Sequence, residues 1–353
     1  MKTVRSTLAA AALLTMGIAT PSSATELEHW PKEAATQLNS LIEQHANTGA
    51  YAVFDMDNTM YHYDLTESLL PYLEMKGVLT RETLDQSLII MPFKDTADHQ
   101  ESLNSYYYRL CEVDDMVCYP WIAQSFAGLS LGDLKGYVDE LLAYEGDIPI
   151  TYFDGDDVVE STVNRPEIYQ GQVELVNKMM ENGIEVYVIS AANAEAVRDV
   201  ASDPKYGYNI KPENVLGVSM LLKDTETNAL TTVRKQIREG SFVPGENENL
   251  ILTPYLWTPS TWMSGKAGAI WEYIDEARKP ILVAGDTPAN DRFMLFHSTD
   301  IENGGMRIWV DRKDKYMVQI EDMWNDLAAK QKQAGVAVTA DKNWIVVKDE
   351  DIQ

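Results

Sequence analysis

Short apolar runs alternate with amphipathic stretches along most of the chain. The run Tyr51-Ala-Val-Phe54 is apolar and rich in strand-forming residues. Similar runs recur three more times, at 184–189, 280–284 and 307–310. Helical spacing of apolar residues predicts three helices between these runs, at 172–181, 194–201 and 267–278. Apolar strands that alternate with helices indicate an α/β fold with a parallel sheet.

The segment 61–160 breaks this alternation. Three helices are predicted inside it, at 65–77, 81–90 and 132–144. Ser130 is placed to cap the third helix, and a hairpin is predicted over 150–159. We therefore expect a mostly helical segment over 61–160, inserted into a core that is built from 25–60 and 161–353.

The first 24 residues have the pattern of a secretory signal peptide. Lys2 and Arg5 precede an apolar stretch at 8–19, and the small residues Ser22-Ser23-Ala24 follow it. The apolar stretch is shorter than the roughly 20 residues that a membrane span needs, and no later stretch approaches that length. We expect export to the periplasm or beyond it, removal of 1–24, and no transmembrane segment.

The chain is strongly acidic. Its 353 residues include 29 Lys and Arg against 55 Asp and Glu, which gives a net charge of −26. The hydrophobic fraction of 45% excludes a disordered chain. A surface of this charge repels the phosphate backbone of nucleic acids, so we expect a small-molecule partner and no nucleic acid. Solubility outside the cytoplasm accounts for most of the excess charge.

The two cysteines, Cys111 and Cys118, lie in a segment that is expected to reach an oxidising compartment. A structural disulfide between them is the favoured interpretation. A redox site needs a closer C-x-x-C pair, and a zinc site needs more ligands. Those two roles are therefore the weaker alternatives.

Polar residues cluster at the carboxyl ends of the predicted strands. They are Asp55 and Asp57 after the first strand, Ser190 after the strand at 184–189, Lys266 before a helix, and Asp286 after the strand at 280–284. The carboxyl ends of parallel strands meet at one edge of a sheet, where ligands bind in α/β proteins. We therefore expect these side chains to converge on one site.

Phosphoryl transfer to a carboxylate would use all of these groups. Asp55 can act as a nucleophile that forms an aspartyl-phosphate intermediate. Asp57, two residues on, can protonate the leaving alcohol and then activate water. Carboxylates and a phosphate dianion together carry a large negative charge, which predicts a divalent cation such as Mg²⁺. The Ser190 hydroxyl and the backbone amides of helix starts can hold the other phosphate oxygens.

These motifs, in this order, resemble those of the haloacid dehalogenase (HAD) superfamily of phosphatases. The matching stretches are Asp55-Met-Asp57-Asn-Thr59, Ser190, Lys266, and Gly285-Asp286 through Asp291. The resemblance implies a Rossmann-like HAD core with a parallel sheet and a mostly α-helical cap inserted after the first motif. It also implies Asp55, Asp57 and Lys266 as catalytic residues.

The same resemblance implies two sets of binding residues. The phosphate-binding set is Thr59, Ser190, Ala191 and Lys266. The set for the metal, Mg²⁺ or another divalent cation, is Asp55, Asp57 through its backbone carbonyl, Asp286 and Asp291. The sequence departs from the family pattern at Ala289, where an acidic residue is expected.

Five longer phrases resemble a branch of secreted bacterial enzymes of this superfamily that hydrolyse phosphorylcholine. They are Tyr61-His-Tyr-Asp-Leu65, Ser190-Ala-Ala192, Pro254-Tyr-Leu-Trp-Thr-Pro259, Met263-Ser-Gly-Lys266 and Gly285-Asp-Thr-Pro288. This resemblance implies hydrolysis of phosphorylcholine to choline and phosphate. A broad-specificity secreted acid phosphatase and a choline-binding protein without turnover remain as alternatives.

Aromatic residues of the predicted cap are candidates for binding a quaternary ammonium group, which attracts aromatic faces and carboxylates. Tyr61 and Tyr63 are favoured, because they leave the catalytic loop two residues apart and can share a side. Consecutive residues on a helix point about 100° apart, so Tyr106, Tyr107 and Tyr108 cannot all face one pocket. Ordinary packing remains the alternative for each tyrosine.

Three weaker signals have simpler explanations. Gly128-Leu-Ser130-Leu-Gly132 matches a nucleophile elbow, but no β-branched strand leads into it, and a helix cap is favoured for Ser130. The acidic stretch 154–157 lacks the twelve-residue pattern of a calcium loop and is predicted to be a turn. The five histidines form no metal-binding pattern.

Overall fold

The computed structural model describes residues 25–353, so the predicted signal peptide at 1–24 lies outside the described residues. The strands are β1 (Tyr51–Phe54), β2 (Tyr61–His62), β3 (Ile148–Asp154), β4 (Asp157–Val163), β5 (Glu167–Ile168), β6 (Glu185–Asn193), β7 (Val215–Lys223), β8 (Leu230–Thr231), β9 (Ile251–Trp257), β10 (Leu282–Gly285), β11 (Met306–Asp311) and β12 (Trp344–Lys348). The helices are α1 (Lys32–His45), α2 (Leu65–Met75), α3 (Leu103–Val113), α4 (Asp115–Gln124), α5 (Leu131–Leu142), α6 (Gln170–Glu181), α7 (Ala194–Ser202), α8 (Val233–Glu239), α9 (Ser264–Tyr273), α10 (Pro288–Phe293) and α11 (Asp314–Ala334).

The central sheet has eight strands. Its order is β12-β11-β10-β1-β6-β7-β8, and β9 also pairs with β7. The pairs from β12 to β7 are parallel, whereas β8 and β9 run antiparallel to β7. The predicted α/β fold with a parallel sheet is confirmed. Because β10 and β6 flank β1, the polar residues that follow these three strands lie next to one another.

Strand β1 shows why the parallel strands appear as continuous apolar runs. All four of its residues are buried. Ala52 and Phe54 enter one hydrophobic cluster, while Tyr51 and Val53 enter a second cluster. Successive strand residues point to opposite faces, so the sheet is covered on both faces.

Helices α2 to α5 and the β3–β4 hairpin follow β1 and precede β6, in the segment that was predicted to be mostly helical. Strands β2 and β5 pair where the chain enters and leaves this segment. Ser130 accepts a hydrogen bond from the Asp133 amide at 3.0 Å at the start of α5, so its interpretation as a helix cap is confirmed.

The helix predicted over 81–90 is wrong. Only a short 3₁₀ turn forms there, at Gln86–Leu88. The Thr83 hydroxyl accepts a hydrogen bond from the Thr80 amide at 2.8 Å, and the Thr80 hydroxyl accepts one from the Thr83 amide at 3.2 Å. Such side-chain bonds give the backbone an alternative to helical hydrogen bonds.

Cys111 in α3 and Cys118 in α4 form a disulfide, as predicted. These two helices follow one another directly in the chain, so the bridge constrains the short connection between them. Across residues 25–353, none of the helices combines the length and the apolar character that crossing a membrane requires.

Candidate active site

A cavity of about 460 Å³ lies at the carboxyl ends of the central strands. Asp55 and Asp57 line it from the loop after β1, and Ala191 lines it from β6. Thr287 follows β10 and Arg312 follows β11, and both also line the cavity. The predicted convergence of strand ends on one site is therefore observed.

Asp55 lines this cavity, and its observed hydrogen bond and ion pair both fall on one of its two carboxylate oxygens. Its Oδ1 accepts a hydrogen bond from the Met56 amide at 2.8 Å and lies 2.6 Å from Lys266 Nζ. Its Oδ2 has no hydrogen-bond partner among residues 25–353. Burial and the nearby Asp291 raise the pKa of Asp55, while Lys266 opposes that rise. Lys266 therefore supports the ionised form that a nucleophile needs.

Lys266 lies fully buried beneath Asp55. Helix α9 holds it, and its Nζ is 2.6 Å from both Asp55 Oδ1 and Asp291 Oδ1. Burial alone would lower the pKa of Lys266, but the two carboxylates outweigh burial and raise it. Lys266 is not among the residues that line the cavity. Its observed contacts position Asp55, and its contact with phosphate stays a prediction.

Asp286 and Asp291 complete the buried acidic cluster. Asp286 accepts hydrogen bonds from Thr59 Oγ1 at 3.1 Å, from Thr287 Oγ1 at 2.8 Å and from Arg312 Nε at 2.6 Å. Asp291 Oδ2 accepts the amides of Asp286 at 3.0 Å and Thr287 at 2.9 Å. Asp291 therefore holds the loop after β10 in the conformation that presents Asp286.

The carboxylates of Asp55, Asp286 and Asp291 can together hold a metal ion. One oxygen of each lies within 4.8 Å of the others, and all three residues are buried. Oxygen donors of this kind suit Mg²⁺ and similar hard cations. Lys266 and Arg312 offset two of the three negative charges, so one net negative charge remains to attract a cation. The Asp57 carboxylate lies outside this cluster, and a role for its backbone carbonyl stays a prediction.

Asp57 is held in a different environment. Its Oδ1 accepts hydrogen bonds from the Tyr61 hydroxyl at 2.7 Å and the Leu65 amide at 2.8 Å, and its Oδ2 is 3.4 Å from Ser190 Oγ. Burial raises the pKa of Asp57 well above its usual range, and the nearby Asp64 adds to the rise. A raised pKa favours the protonated form of the carboxyl group, which is the form that a general acid needs.

The residues predicted to bind phosphate fall into two groups. Ala191 lines the cavity. Thr59 and Ser190 are completely buried, and their hydroxyls lie beside Asp286 and Asp57 respectively. Their observed contacts position the two carboxylates, and their contact with phosphate stays a prediction.

The two tyrosines predicted to bind substrate do not share a side. Tyr61 is completely buried and donates to Asp57, so its visible role is to position that carboxyl group. Tyr63 lines the cavity and stacks on His62 with ring centroids 3.9 Å apart. The backbone at Tyr63 has φ of 69°, and this left-handed turn separates the two rings.

Several residues that line the cavity were not identified from the sequence. Arg312 follows the predicted strand at 307–310, so the rule that strand ends carry chemistry could have found it. Asp64 caps α2 and Glu67 lies in its first turn, which resembles an ordinary helix start. The Tyr107 hydroxyl donates to Glu67 Oε1 at 2.8 Å, and this contact has no signal in the sequence.

The wall formed by Glu67, Asp64, Tyr63, Tyr107 and Tyr119 is both acidic and aromatic. Burial raises the pKa of Glu67 to about 7, and the nearby Asp64 adds to the rise. A cation beside these carboxyl groups would favour their ionised forms. This wall therefore suits a ligand with a positive charge.

Comparisons with known proteins give one strong relative. No family model matches the chain. The chain is 64% identical over 332 residues to a phosphorylcholine phosphatase from Pseudomonas aeruginosa, and the match covers 94% of this chain and 95% of that protein. This relative confirms the resemblance predicted from the five longer phrases.

Solved structures add a match at the level of the fold. A conserved protein of unknown function from Anaerococcus prevotii has a TM-score of 0.57 at 19% identity, covering 85% of this chain and 90% of that chain. A substrate-bound phosphoserine phosphatase has a TM-score of 0.39 at 11% identity, covering 76% of this chain and 90% of that chain. The first of these two shows a shared fold.

Proposed function

The chain belongs to the family of the Pseudomonas aeruginosa phosphorylcholine phosphatase, and from this membership we propose that it hydrolyses phosphorylcholine to choline and inorganic phosphate. One observation carries the proposal for this chain. Asp55 lines the same cavity as the acidic and aromatic wall, so the proposed nucleophile and a site for a quaternary ammonium group lie in one space.

The residues suggest the following sequence of steps. Asp55 Oδ2 attacks phosphorus, a new O–P bond forms, and the P–O bond to choline breaks. Asp57 gives its proton to the departing choline oxygen, which leaves as a neutral hydroxyl group. Asp57, now ionised, takes a proton from a water molecule that attacks the aspartyl phosphate. The second step releases inorganic phosphate and restores Asp55.

We propose Mg²⁺ as the cofactor. Asp55, Asp286 and Asp291 supply buried oxygen donors close enough to share one ion, and the Asp57 backbone carbonyl is a further predicted ligand. A bound divalent cation would neutralise the repulsion between the nucleophile and the phosphate. Arg312 fixes Asp286 from the other side, and Lys266 fixes Asp55.

The acidic and aromatic wall is proposed to bind the choline end of the substrate. A quaternary ammonium group has no N–H to donate, so recognition relies on aromatic faces and on carboxylates. Tyr63, Tyr107 and Tyr119 provide the rings, and Asp64 and Glu67 provide the charge. All five of these residues lie in the inserted segment 61–160, which is proposed to be a cap that determines specificity.

A panel of phosphate esters tests this function. Phosphorylcholine, phosphorylethanolamine and an uncharged aryl phosphate are assayed for phosphate release, with Mg²⁺ added and with a chelator. We expect phosphorylcholine to give the highest kcat/KM and the chelator to abolish turnover. Equal kcat/KM for all three esters would favour the broad-specificity phosphatase, and binding of choline without phosphate release would favour a protein without turnover.

Tyr63→Ala is expected to reduce kcat/KM for phosphorylcholine about tenfold, with a much smaller loss for the aryl phosphate. A cation–π contact in a partly desolvated site accounts for roughly this factor. Initial rates on the two esters measure it, with Tyr255→Ala as the matched control because Tyr255 is 65% exposed. Equal losses on both esters would remove Tyr63 from choline recognition.

Export is the last part of the proposal. The pattern at 1–24 supports a signal peptide that directs the chain to the periplasm or beyond it. N-terminal sequencing of the exported protein is expected to begin near Thr25. Recovery of the protein in the cytoplasm with 1–24 intact would contradict export.

A further inference from the structure

Arg312 holds one oxygen of the Asp286 carboxylate. Its Nε donates to Asp286 Oδ2 at 2.6 Å, and its Nη2 donates to Thr287 Oγ1 at 3.2 Å. The guanidinium carbon also lies 5.0 Å from the centre of the Tyr316 ring. The side chain of Arg312 is 12% exposed, and that of Asp286 is 1% exposed. Three neighbours and a largely buried position therefore fix the guanidinium against Asp286.

The two oxygens of Asp286 differ in how many acceptor sites remain free. An ionised carboxylate has about four such sites, shared equally between its oxygens. Asp286 Oδ2 accepts from Arg312 Nε at 2.6 Å and from Thr287 Oγ1 at 2.8 Å, so both of its sites are occupied. Asp286 Oδ1 accepts from Thr59 Oγ1 alone, at 3.1 Å, among residues 25–353. A cation can therefore bind Asp286 through one oxygen, Oδ1, while Arg312 and Thr287 keep their contacts.

The other two carboxylates of the acidic cluster show the same pattern. Asp55 Oδ1 accepts from the Met56 amide at 2.8 Å and lies 2.6 Å from Lys266 Nζ. Asp291 Oδ2 accepts two backbone amides, at 3.0 and 2.9 Å. Each carboxylate thus has one oxygen whose acceptor sites are filled by the protein. A cation held by this cluster would gain at most one ligand oxygen from each carboxylate.

Single carboxylate oxygens suit a small cation better than a large one. Mg²⁺ demands octahedral geometry and keeps several of its water molecules, so it needs few oxygens from the protein. Ca²⁺ is larger, takes about six to eight oxygen ligands, and often binds both oxygens of a carboxylate. A cluster that offers one oxygen per carboxylate therefore disfavours Ca²⁺ relative to Mg²⁺.

Given the Mg²⁺ site of the proposed function, on which this inference rests, we propose that Arg312 is a positioning residue that gives the site a preference for Mg²⁺ over Ca²⁺. It occupies Asp286 Oδ2, so that Asp286 cannot bind a cation through both oxygens. The Thr287 hydroxyl supports the same restriction. Loss of a merely structural contact would weaken the binding of both cations together. Loss of this restriction would instead change the ratio of their dissociation constants.

Calorimetric titration of the full chain with Mg²⁺, and separately with Ca²⁺, measures this ratio without any turnover. We expect the unmodified protein to bind Mg²⁺ more tightly. Arg312→Met is expected to shift the ratio about tenfold towards Ca²⁺. Thr287→Val removes one donor to Asp286 Oδ2 without a change of charge and is expected to shift the ratio about threefold. Circular dichroism verifies that each variant is folded, and Thr287→Val decides the test by itself if Arg312→Met does not fold.

Lys313→Met is the matched control for the lost positive charge. Lys313 lines the same cavity, and no hydrogen bond joins it to Asp286 in the part of the chain that the structure describes. Its removal should change the affinities for both divalent cations alike and leave their ratio within about twofold of the original. An unchanged ratio in the folded Arg312 and Thr287 variants, or an equal shift in Lys313→Met, would overturn the role of Arg312. Absence of Mg²⁺ binding to the unmodified protein would contradict the proposed cofactor itself, and this role with it.

Discussion

Asp55→Asn is expected to lower the turnover of phosphorylcholine by at least about 10³-fold. An amide oxygen cannot replace the carboxylate as the nucleophile, so no aspartyl phosphate forms. The substitution keeps the shape of the side chain, which can still accept the hydrogen bond from the Met56 amide. Phosphate release under saturating substrate and Mg²⁺ measures the loss.

Trapping of the intermediate makes this prediction specific to the nucleophile. Acid quenching during turnover of ³²P-labelled substrate should leave label on the unmodified protein, and hydroxylamine should release it as expected for an acyl phosphate. Asp55→Asn should retain no label. Asp322→Asn, at an exposed position on α11, is the matched control and should resemble the unmodified protein. Labelling of Asp55→Asn, or turnover within tenfold of normal, would contradict the assigned nucleophile.

Lys266→Met is expected to remove activity and to lower the free energy of unfolding by about 3–5 kcal/mol at pH 8. Lys266 is completely buried between two carboxylates, and its ammonium is 2.6 Å from an oxygen of each. Methionine fills a similar volume but leaves Asp55 and Asp291 without their shared cation. Urea unfolding and phosphate release measure the two effects.

The stability loss in Lys266→Met should be greater at pH 8 than at pH 5. Burial already raises the pKa of Asp55 and Lys266 opposes the rise, so removing Lys266 raises this pKa further. A folded-state pKa above that of the unfolded chain means that stability falls as pH rises through the folded-state value. Lys315→Met, at an exposed position, should change neither stability nor its pH dependence. An equal loss at both pH values would contradict the role of Lys266 in keeping Asp55 ionised.

The strands were predictable because the sheet is covered on both faces. Strand β1 was predicted with its observed bounds, and the apolar runs at 280–284 and 307–310 correspond to β10 and β11. A strand buried on both faces needs apolar residues at every position, which gives a continuous run. Three or four such residues are enough to identify the strand and therefore the polar residues that follow it.

Helix α11 shows where this reasoning fails. It spans Asp314–Ala334, yet Ile320 is its one buried residue. No helix was predicted there. Six of its residues are partly buried where they pack against the core, namely Tyr316, Met317, Met323, Trp324, Leu327 and Ala328. The helix predicted over 267–278 ends earlier, at Tyr273. The prediction for residues 81–90 failed in the opposite way. Their apolar spacing is helical, but the side chains of Thr80 and Thr83 form hydrogen bonds with backbone amides, and no α-helix forms there.

The sequence by itself determined which chemical groups lie at the strand ends and in what order. A residue directly after a buried strand must lie at the carboxyl end of that strand. It thereby identified Asp55, Asp57, Ser190 and Asp286. Lys266 was predicted to precede a helix, and Asp291 was assigned through the resemblance to the HAD superfamily. Only the tertiary structure decided which of these groups touch. The strand order β11-β10-β1 brings Arg312 onto Asp286, and the turn after β2 leaves Tyr63 in the cavity while Tyr61 stays beneath Asp57. Such contacts depend on distances between segments that are far apart in the chain, and local periodicity carries no information about those distances.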